Sequence, residues 1–337
     1  MNRLKDIIND FPKARILVVG DLILDEYIWG DVERISPEAP VPVVWAKKRT
    51  FVPGGASNVA SNIRSLDADV TVAGALGKDK NSQHLLSELK KRKIAVDGIF
   101  IDSRRVTTVK TRIIAGHQQM MRLDWEQVEP LSRGLNEKII GFIRKNIKKF
   151  DAVIIEDYGK GVINKDLLEK LISIGRSSGK IIAVDPKEDH FQYYHKVTTI
   201  TPNRKELENA IRYLKIKDTT NSFKLNAYRL FTDQDLIHAA QHILKYLKLD
   251  SALVTLGEQG MMLFEKNGRM THIPTVAQEV FDVSGAGDTV IAAFTLGLCA
   301  GANKIEAAHI ANFAAGIVVG KVGTATVTRK ELIERIK

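Results

Sequence analysis

The sequence predicts an α/β fold in which a mostly parallel sheet carries helices on both faces. Short runs rich in β-branched residues alternate with longer stretches of helical periodicity, a pattern typical of parallel sheets with crossover helices. The 337 residues, of which 44% are hydrophobic, are enough to bury a large core. Two glycine-rich turns, at residues 54–55 and 285–287, each stand directly before a predicted helix.

The predicted elements follow one another along most of the chain. Strands are predicted at 15–19, 70–73, 151–155, 180–184, 198–200 and 251–255. Helices are predicted at 56–66, 82–91, 136–149, 165–177, 204–214, 233–247, 289–299 and 305–319. Ligands of such folds bind beyond the carboxyl ends of the strands, so we expect the site at that edge of the sheet.

Two strand-prone segments, 27–50 and 107–125, interrupt this alternation, and neither is followed by a helix of its own. They predict a small β flap over the active site, here called the lid; edge strands without a gating role are the alternative. The polar, turn-rich segment 216–231 is interpreted as a surface insertion. Without repeats or linkers, residues 1–337 are predicted to form one domain.

Composition narrows the class of partner. The formal charge is +10, but basic residues are scattered among acidic ones, which favours small phosphorylated ligands over nucleic acid. The single cysteine, Cys299, excludes an intrachain disulfide and is compatible with a reducing compartment. No apolar run approaches the roughly 18 residues of a membrane span, so we expect a cytoplasmic protein without a membrane partner.

The segment 282–288, Asp-Val-Ser-Gly-Ala-Gly-Asp, has the features of a phosphate site. Gly285 and Gly287 carry no side chain that could block an anion, and the N-H groups of the following helix would face it. Asp288 would stand where a γ-phosphate lies, which suits a base that orients an attacking hydroxyl. A glycine turn with an aspartate helix cap is the alternative for this motif alone.

A second glycine turn lies near the amino terminus. The strand 15–19 leads into Asp21, and Gly54, Gly55 and Asn58 follow one strand and one flap segment later. A carboxylate and an amide at strand ends suit a ligand with many hydroxyl groups, since each takes part in paired hydrogen bonds. Alternatively, Asp21 is a turn residue and Asn58 a buried polar group of the helix.

These motifs resemble the ribokinase-like (PfkB) carbohydrate kinases over residues 13–335. The segment 282–288 resembles the carboxyl-terminal signature of that family, and Gly54, Gly55 and Asn58 resemble its amino-terminal one. The segments 32–43 and 185–187 resemble more specifically the kinases that act on D-glycero-D-manno-heptose 7-phosphate. Because the sequence ends just after the kinase region, the resemblance is to the stand-alone kinase without a nucleotidyltransferase domain.

The resemblance implies roles for individual residues. Asp288 corresponds to the catalytic base, and Gly285, Ala286 and Gly287 to the anion hole. ATP is the implied co-substrate. Asn203 and Glu206 resemble an Asn-x-x-Glu motif that helps to hold hydrated Mg2+ and phosphates; without the resemblance they would be a helix cap and a solvated glutamate.

The resemblance extends to the nucleotide side. Thr255, Gly257 and Gly260 resemble the strand-turn-strand beside the nucleotide, and Asn312 a residue beside the adenine; a hairpin turn and a polar helix residue are the alternatives. A K+ site beside Asp282 is implied by the resemblance alone.

Positive charge is needed for the phosphate groups. Among the basic lid residues Arg34, Lys110, Arg112 and Arg122, we prefer Lys110 and Arg112 because strand alternation places both on one face. Lys187 is predicted to contact the transferred or nucleotide phosphate, with an ion pair to Asp185 as the alternative.

The sequence therefore predicts transfer of phosphate from ATP to the anomeric hydroxyl of heptose 7-phosphate, in the synthesis of ADP-heptose. The rivals are a related kinase of another sugar, sugar phosphate or nucleoside, and an inactive sugar-binding module. A nicotinamide-dependent oxidoreductase is disfavoured, because the first strand does not lead into a dinucleotide-binding glycine turn. Apolar lid residues predict a homodimer formed through the lid; they are Ile35, Val41, Val43 and Trp45.

Overall fold

The computed structural model describes residues 2–116, 118–217, 232–277, 279–321 and 323–336. Its strands are β1 Arg15–Gly20, β2 Leu22–Ile35, β3 Pro42–Gly55, β4 Asp69–Gly77, β5 Ala95–Asp102, β6 Thr108–Ala115, β7 Gln118–Trp125, β8 Ala152–Glu156, β9 Ile181–Asp185, β10 Thr199–Ile200, β11 Ser251–Thr255, β12 Met261–Glu265 and β13 Met270–Ile273. Its helices are α1 Asn2–Asn9, α2 Ala56–Ser65, α3 Lys80–Lys91, α4 Arg133–Asn146, α5 Lys165–Ser177, α6 Arg204–Lys217, α7 Asp233–Leu247, α8 Ala286–Cys299, α9 Lys304–Val318 and α10 Arg329–Arg335.

Nine strands form the central sheet in the order β13-β12-β11-β10-β9-β8-β1-β4-β5. From β11 to β5 neighbouring strands are parallel, and β12 and β13 add an antiparallel edge. Because the parallel strands run in one direction, their carboxyl ends meet along one edge of the sheet, where ligands of such folds bind. The predicted fold class is confirmed.

The helices cover both faces of this sheet and divide the core in two. One apolar cluster packs α2, α3, α8 and α9 on one face, and a second packs α4, α5, α6 and α7 on the other. The strands between them are buried on both faces, which explains why their sequences are continuously apolar. Within the described residues, no helix is both long and apolar enough to cross a membrane.

The lid is a four-stranded sheet in the order β3-β2-β6-β7. β2 and β3 pair from Leu22 opposite Gly55 to Ile35 opposite Pro42, so the lid is a direct extension of the strands that enter and leave the main body. The predicted bounds 27–50 were too narrow, and β3 leads straight into α2. Both differences have one cause, since the pairing of β2 with β3 continues down to the glycine turn.

The remaining differences lie at element ends and edges. α6 continues to Lys217, so residues 216 and 217 of the predicted insertion are helical, and residues 218–231 lie outside the described residues. α4 begins at Arg133, three residues before the prediction, because the Ser132 hydroxyl accepts a hydrogen bond from the Leu135 N-H and caps the helix there. The strands β5, β12 and β13 and the helices α1 and α10 were not among the predicted elements.

Candidate active site

Asp288 lies in the first turn of α8, where this helix meets the carboxyl ends of the central strands. Its carboxylate is 4% exposed and accepts two hydrogen bonds from other segments. Asn58 Nδ2, on α2, donates to Oδ2 at 2.5 Å, and the Tyr158 hydroxyl, on the loop after β8, donates to Oδ1 at 3.2 Å. The two predicted glycine motifs therefore meet at one carboxylate.

Burial raises the pKa of Asp288 to about 6, although the hydrogen bonds from Asn58 and Tyr158 act in the opposite direction. The nearby charge of Asp25 raises the pKa further, and that of Lys110 lowers it. A carboxyl group with a pKa close to neutrality can accept a proton from a hydroxyl and is still ionised at pH 7. The position and the pKa of Asp288 both suit a general base.

The turn before α8 leaves room for an anion. Gly285 has a φ of 78°, and a Cβ at this position would lie 2.7 Å from Asn58 Nδ2. Within the described part of the chain, the N-H groups of Gly287 and Asp288 reach no acceptor. Free N-H groups at a helix start attract phosphate oxygens, which supports an anion site at Gly287. The Ala286 N-H donates to the Val283 carbonyl at 3.2 Å, so the part of Gly285 and Ala286 in the anion hole stays a prediction.

Two further buried acids stand beside Asp288. Glu156 ends β8 and Asp185 ends β9, and the pairing of these strands places the two residues side by side. Ligand atoms of Glu156, Asp185 and Asp288 all lie within 4.8 Å of one another. Burial, together with the charges of neighbouring acids, raises the pKa of both Glu156 and Asp185 well above the ordinary range.

The acid cluster fits a hard divalent cation. Among the described residues no donor reaches either oxygen of Glu156, which leaves this buried carboxyl group without compensation inside the protein. A set of carboxylate oxygens is the donor set that Mg2+ prefers. Glu156, Asp185 and Asp288 are therefore the residues best placed to face the ion.

Asn203 and Glu206 are arranged as a reciprocal helix cap at the start of α6. The Glu206 N-H donates to Asn203 Oδ1 and the Asn203 N-H donates to Glu206 Oε2, each at 2.8 Å. Burial raises the pKa of Glu206, and its charge raises the pKa of Asp185. The predicted pair thus lies next to the acid cluster, and its role toward Mg2+ stays a prediction.

The lid closes the other side of Asp288. Arg112 Nη1, on β6, donates to Asp25 Oδ1 on β2 at 2.6 Å. Lys110 lies two residues earlier on the same face of β6, and its ammonium group is 5.0 Å from the centre of the Tyr158 ring. Lys110 and Arg112 thus lie on one face of β6, whereas the alternative Arg122 pairs with Asp124; binding of the substrate phosphate by Lys110 and Arg112 stays a prediction.

Asp25 occupies the position between the lid and the amino-terminal glycine turn. It is buried, and a Cβ on Gly54 would lie 2.5 Å from its Oδ2. Only a glycine therefore allows β3 to pass this carboxylate. Gly55 follows with a φ of 54° and leads the chain into α2, which carries Asn58.

The Asp21 carboxylate accepts hydrogen bonds from the backbone of the loop after β8. The donors are the N-H groups of Tyr158, Lys160 and Val162, each at 3.0 Å. Burial and the charge of Asp157 raise the pKa of Asp21 to about 6. These contacts fix the loop that presents Tyr158 to Asp288; direct binding of the sugar by Asp21 stays a prediction.

A buried network ties this loop to the loop after β9, which carries Lys187. Asp157 Oδ2 accepts from the Tyr194 hydroxyl at 2.7 Å and lies 2.6 Å from His190 Nδ1, while the Lys187 N-H donates to the Tyr194 hydroxyl. Lys187 Nζ lies 3.0 Å from Glu188. The alternative ion pair of Lys187 with Asp185 is wrong, because its ammonium group pairs with the adjacent glutamate instead.

A pocket of about 560 Å³ opens on the far side of the α8 turn. The Asn312 amide, on α9, donates to the Pro274 carbonyl at 2.8 Å and holds the segment after β13 against this pocket. Among its lining residues are Thr255, Gly257, Gly260, Ala286, Gly287 and Asn312. The residues predicted for the nucleotide are thus brought together beside the anion turn.

Asp282 is the residue predicted beside K+, and both of its carboxylate oxygens accept hydrogen bonds from backbone N-H groups. The Ser284 N-H donates to Oδ1 at 2.9 Å and the Gly323 N-H to Oδ2 at 3.1 Å. These bonds hold the turn before α8 in place. Cation binding here stays a prediction.

Four acids or hydroxyl groups of the site were absent from the predicted residues: Asp25, Glu156, Tyr158 and Asp185. Glu156 and Asp185 are each the last residue of a β-branched run, and an acid ending such a run is a readable signal for a group at the ligand edge. Tyr158 has no signal of this kind, since its contact with Asp288 spans 130 residues.

A base at a helix start, free N-H groups, acids that suit Mg2+ and an adjoining pocket are the features expected of a phosphotransferase. A comparison with protein-family models matches residues 13–331 to the pfkB family of carbohydrate kinases. The chain belongs to this family and is a phosphotransferase that acts on a sugar hydroxyl.

Curated relatives share the sequence along nearly the whole chain. The chain is 43% identical over 335 residues to the "Bifunctional protein HldE" of Geotalea uraniireducens, covering 98% of this chain and 65% of the relative. It is 44% identical over 318 residues to the protein of the same name from Helicobacter pylori, covering 94% of this chain and 65% of the relative. The chain thus spans about 65% of the length of these relatives.

Solved structures show the same fold. The Arabidopsis thaliana ribokinase complexed with ribose and ATP aligns with a TM-score of 0.73 at 18% identity, covering 96% of this chain and 99% of the ribokinase. Phosphofructokinase-2 from Escherichia coli, in complex with substrates and products, aligns with a TM-score of 0.75 at 19% identity, covering 95% and 97%. The fold is therefore ribokinase-like.

Proposed function

We propose that this kinase transfers the γ-phosphate of ATP to the anomeric hydroxyl of D-glycero-D-manno-heptose 7-phosphate, giving the 1,7-bisphosphate for ADP-heptose synthesis. The observation that carries the proposal is the placement of Asp288 between the lid face that carries Lys110 and Arg112 and the pocket beside Asn312. The 43–44% identity to proteins named HldE supports the heptose as the sugar.

In the proposed reaction the sugar hydroxyl attacks the γ-phosphorus as the bond from that phosphorus to the β-γ bridging oxygen breaks and ADP leaves. Asp288 accepts the hydroxyl proton late, because phosphoryl transfer is loose and the hydroxyl becomes acidic only as its bond to phosphorus forms. Asn58 and Tyr158 hold the two carboxylate oxygens so that one lone pair faces the acceptor.

Alignment and charge supply most of the proposed rate enhancement. The free N-H groups of Gly287 and Asp288 would hold oxygens of the transferred phosphate, and Lys187 would reach it from the loop after β9. When bound among the acids at the ends of β8 and β9, Mg2+ would neutralise charge on the phosphate oxygens.

The lid supplies the proposed site for the phosphate already on the sugar. Lys110 and Arg112 are half-buried on the lid face near Tyr158 and Asp25, where their charge is less screened than on the surface. Asp25 compensates Arg112 and is placed, with Asn58, to bind the sugar hydroxyl groups. An acceptor sugar that carries no phosphate of its own would leave the positive charge of Lys110 without an anionic partner on the substrate.

A substrate panel tests the proposal. In a coupled assay of ADP release, we expect kcat/KM for heptose 7-phosphate to exceed that for ribose, fructose, fructose 6-phosphate and adenosine by at least about 100-fold, equivalent to roughly 3 kcal/mol. Comparable values for fructose 6-phosphate would reject the heptose and retain the kinase. An absence of ADP release with every acceptor would favour an inactive binding module.

We also propose that two copies associate through the lid. Ile35, Val41 and Trp45 are 61%, 52% and 64% exposed, which places a cluster of apolar side chains in water. Exposed apolar clusters of this kind are typical of interaction surfaces.

A further inference from the structure

A second large cleft lies at the end of the sheet opposite Asp288. It is a groove of about 780 Å³ located where β10 and β11 begin and where β12 ends. β11 runs from this end of the sheet to the active-site edge. Its five residues span about 17 Å, which is therefore the distance between the two ends. Buried apolar side chains form the floor of the groove; they are Leu244, Leu249 and Phe264.

Basic side chains from separate segments surround this groove. Arg176 comes from α5, Lys196 from the turn before β10, Lys245 and Lys248 from the end of α7, and Lys266 and Arg269 from the turn between β12 and β13. All six are exposed at the groove. Residues distant in sequence thus converge on one cavity instead of following a single element.

Little negative charge opposes them. The acidic residues of the lining are Asp250 and Glu265. Lys266 Nζ lies 2.6 Å from Asp250, and Lys304 Nζ lies 3.8 Å from Glu265. Among the residues that the structure describes, only Lys266 of the six basic side chains forms a salt bridge with an acid; the other five are Arg176, Lys196, Lys245, Lys248 and Arg269.

The backbone holds two of these lysines at a corner. Lys196 and Lys248 have φ values of 62° and 55°, a left-handed conformation that glycine adopts at lower cost. The Lys196 N-H donates to the Leu247 carbonyl at 2.7 Å, and the Arg176 guanidinium donates to the Lys196 carbonyl at 2.7 Å. Two walls of the groove are therefore fixed to each other.

The positive charge of the groove also lowers the pKa of two neighbouring histidines. Burial and then the charges of Lys248 and Lys196 lower the pKa of His195, and burial and then the charge of Lys245 lower the pKa of His242. An anion in the groove would reverse the charge contribution to both histidines.

We propose that this groove binds a small molecule that carries two or more phosphate groups, at a site separate from the active site. Its volume lies in the range of small-molecule sites, and its apolar floor can cover the non-phosphate part of such a ligand. Cations that enclose one cavity favour a compact anion over a nucleic acid, which needs a continuous basic track.

Neutralisation of helix ends accounts for only part of the cluster. Arg176, Lys245 and Lys248 stand at the carboxyl ends of α5 and α7, where cations stabilise the helix dipole. Lys196, Lys266 and Arg269 lie on turns without such a helix end. A test should therefore change residues from both groups.

The experiment measures binding of inorganic tripolyphosphate by calorimetry in magnesium-free buffer at low salt. The groove variant is the triple substitution Lys196→Gln, Lys248→Gln and Arg269→Gln. A control variant with the same change in net charge carries Lys138→Gln, Lys145→Gln and Lys148→Gln, all exposed and remote from the groove. Thermal unfolding establishes that each variant is folded, and the single substitution Lys196→Gln serves if the triple variant is not.

We expect saturable binding to the wild type, at least 10-fold weaker binding of the same event in the groove variant, and less than a twofold change in the control. Addition of tripolyphosphate should also raise the pKa of His195, followed by NMR of its imidazole. The proposal is overturned if the binding event that shifts His195 survives in the groove variant, if the control loses this event equally, or if His195 is unaffected by tripolyphosphate; binding at the turn before α8 is a separate event that the groove variant retains. Tighter binding of a single-stranded oligonucleotide through the same residues would also overturn it.

Discussion

At the scale of single residues, the site concentrates negative charge where the protein can least solvate it. Asp288, Glu156 and Asp185 lie side by side. Asp288 accepts hydrogen bonds from Asn58 and Tyr158 and Asp185 accepts one from Thr201, whereas no donor among the described residues reaches Glu156. Phosphate, Mg2+ and substrate would supply the missing partners. The free protein therefore carries a cost that binding removes, as is common for active sites.

Asp288→Asn should lower kcat by roughly a thousandfold, because an amide keeps the shape of the carboxyl group but cannot accept the proton. Calorimetric titration with ATP should show nucleotide affinity within about threefold of the wild type, since Asp288 acts on the acceptor hydroxyl. Turnover close to that of the wild type in the ADP-release assay would contradict the role of Asp288 as the base.

The same substitution should stabilise the fold near pH 8. The folded-state pKa of Asp288, about 6, lies above its ordinary value of 3.8, so the folded protein loses stability as the pH rises through this window. Removing the charge should recover about 3 kcal/mol at pH 8 and almost nothing below pH 4. Denaturant unfolding of both proteins at the two pH values measures this difference; equal stability at pH 8 would contradict it.

The pH dependence of catalysis follows from the same group. Because the base must be ionised, kcat/KM should fall about tenfold per pH unit once the pH is below the pKa of Asp288, which is about 6. Replacing Tyr158 by Phe removes a hydrogen bond to the carboxylate and should move this limb to higher pH. A profile that stays flat down to pH 5 would contradict the assignment.

At the scale of elements, two pieces position the reacting groups: the lid and the pair of loops after β8 and β9. The loops are joined through Asp157, whose oxygens bind the Tyr194 hydroxyl, His190 and the Gly159 N-H. One loop presents Tyr158 and the other Lys187. Any change in this junction should therefore alter the geometry on both sides of the transferred phosphate.

Tyr194→Phe tests this junction. The Lys187 N-H would lose its acceptor and Asp157 one donor, which should cost about 1–3 kcal/mol of stability and raise the KM for ATP severalfold. Tyr193→Phe is the matched control, because the Tyr193 hydroxyl makes no hydrogen bond within the described residues and its ring lies tilted beside that of His190, with the centroids 6.3 Å apart. Similar effects of both substitutions on KM would argue against a positioning role of Tyr194.

Arg112→Met tests the lid. Loss of this guanidinium leaves Asp25 buried without its partner, so kcat/KM for the sugar phosphate should fall at least tenfold while the KM for ATP changes less than threefold. Arg122→Met is the control on the paired position of β7, where the arginine is exposed and bound to Asp124. Steady-state kinetics with each substrate varied gives both values, and an equal loss in the two variants would reject the preference for Arg112.

How far the sequence predicts the site depends on the range of the contacts involved. Gly285, Gly287 and Asp288 belong to one short turn. Their shared role in phosphate binding can therefore be predicted from seven consecutive residues, 282–288. Glu156 and Asp185 become neighbours only through the register of β8 and β9, and Asp25 meets Arg112 only through the pairing of β2 with β6. Without a known register, none of these contacts can be assigned.

The fold itself is more predictable, because alternating apolar periodicity is repeated along the chain. The central strands of the sheet and the helices that pack on them begin and end within a few residues of the predicted bounds. The edge strands β5 and β13 were harder to predict, since they are partly solvated and their sequences lack a continuous apolar run. β12 is buried and apolar, but its sequence, Met-Met-Leu-Phe-Glu, contains no β-branched residue.

At the scale of the whole molecule, the exposed lid predicts a dimer. Multi-angle light scattering should give twice the mass of one chain at micromolar concentration, and Trp45→Ser should shift the mass toward that of one chain by removing a 64% exposed aromatic side chain. Met270→Ser is the control that should leave the mass unchanged. Met270 is 43% exposed and lies on the edge strand β13, away from the lid. A strictly monomeric wild type would reject the lid as an interface.

The proposed phosphoryl transfer takes place at Asp288, between the lid face that carries Lys110 and Arg112 and the pocket beside Asn312. Its most direct test is identification of the product, by phosphorus NMR and mass spectrometry, after incubation with ATP, Mg2+ and each anomer of heptose 7-phosphate. We predict one equivalent of ADP and a sugar with a second phosphate on its anomeric oxygen. A second phosphate on any other hydroxyl, or ADP formed without a phosphorylated sugar, would contradict the account.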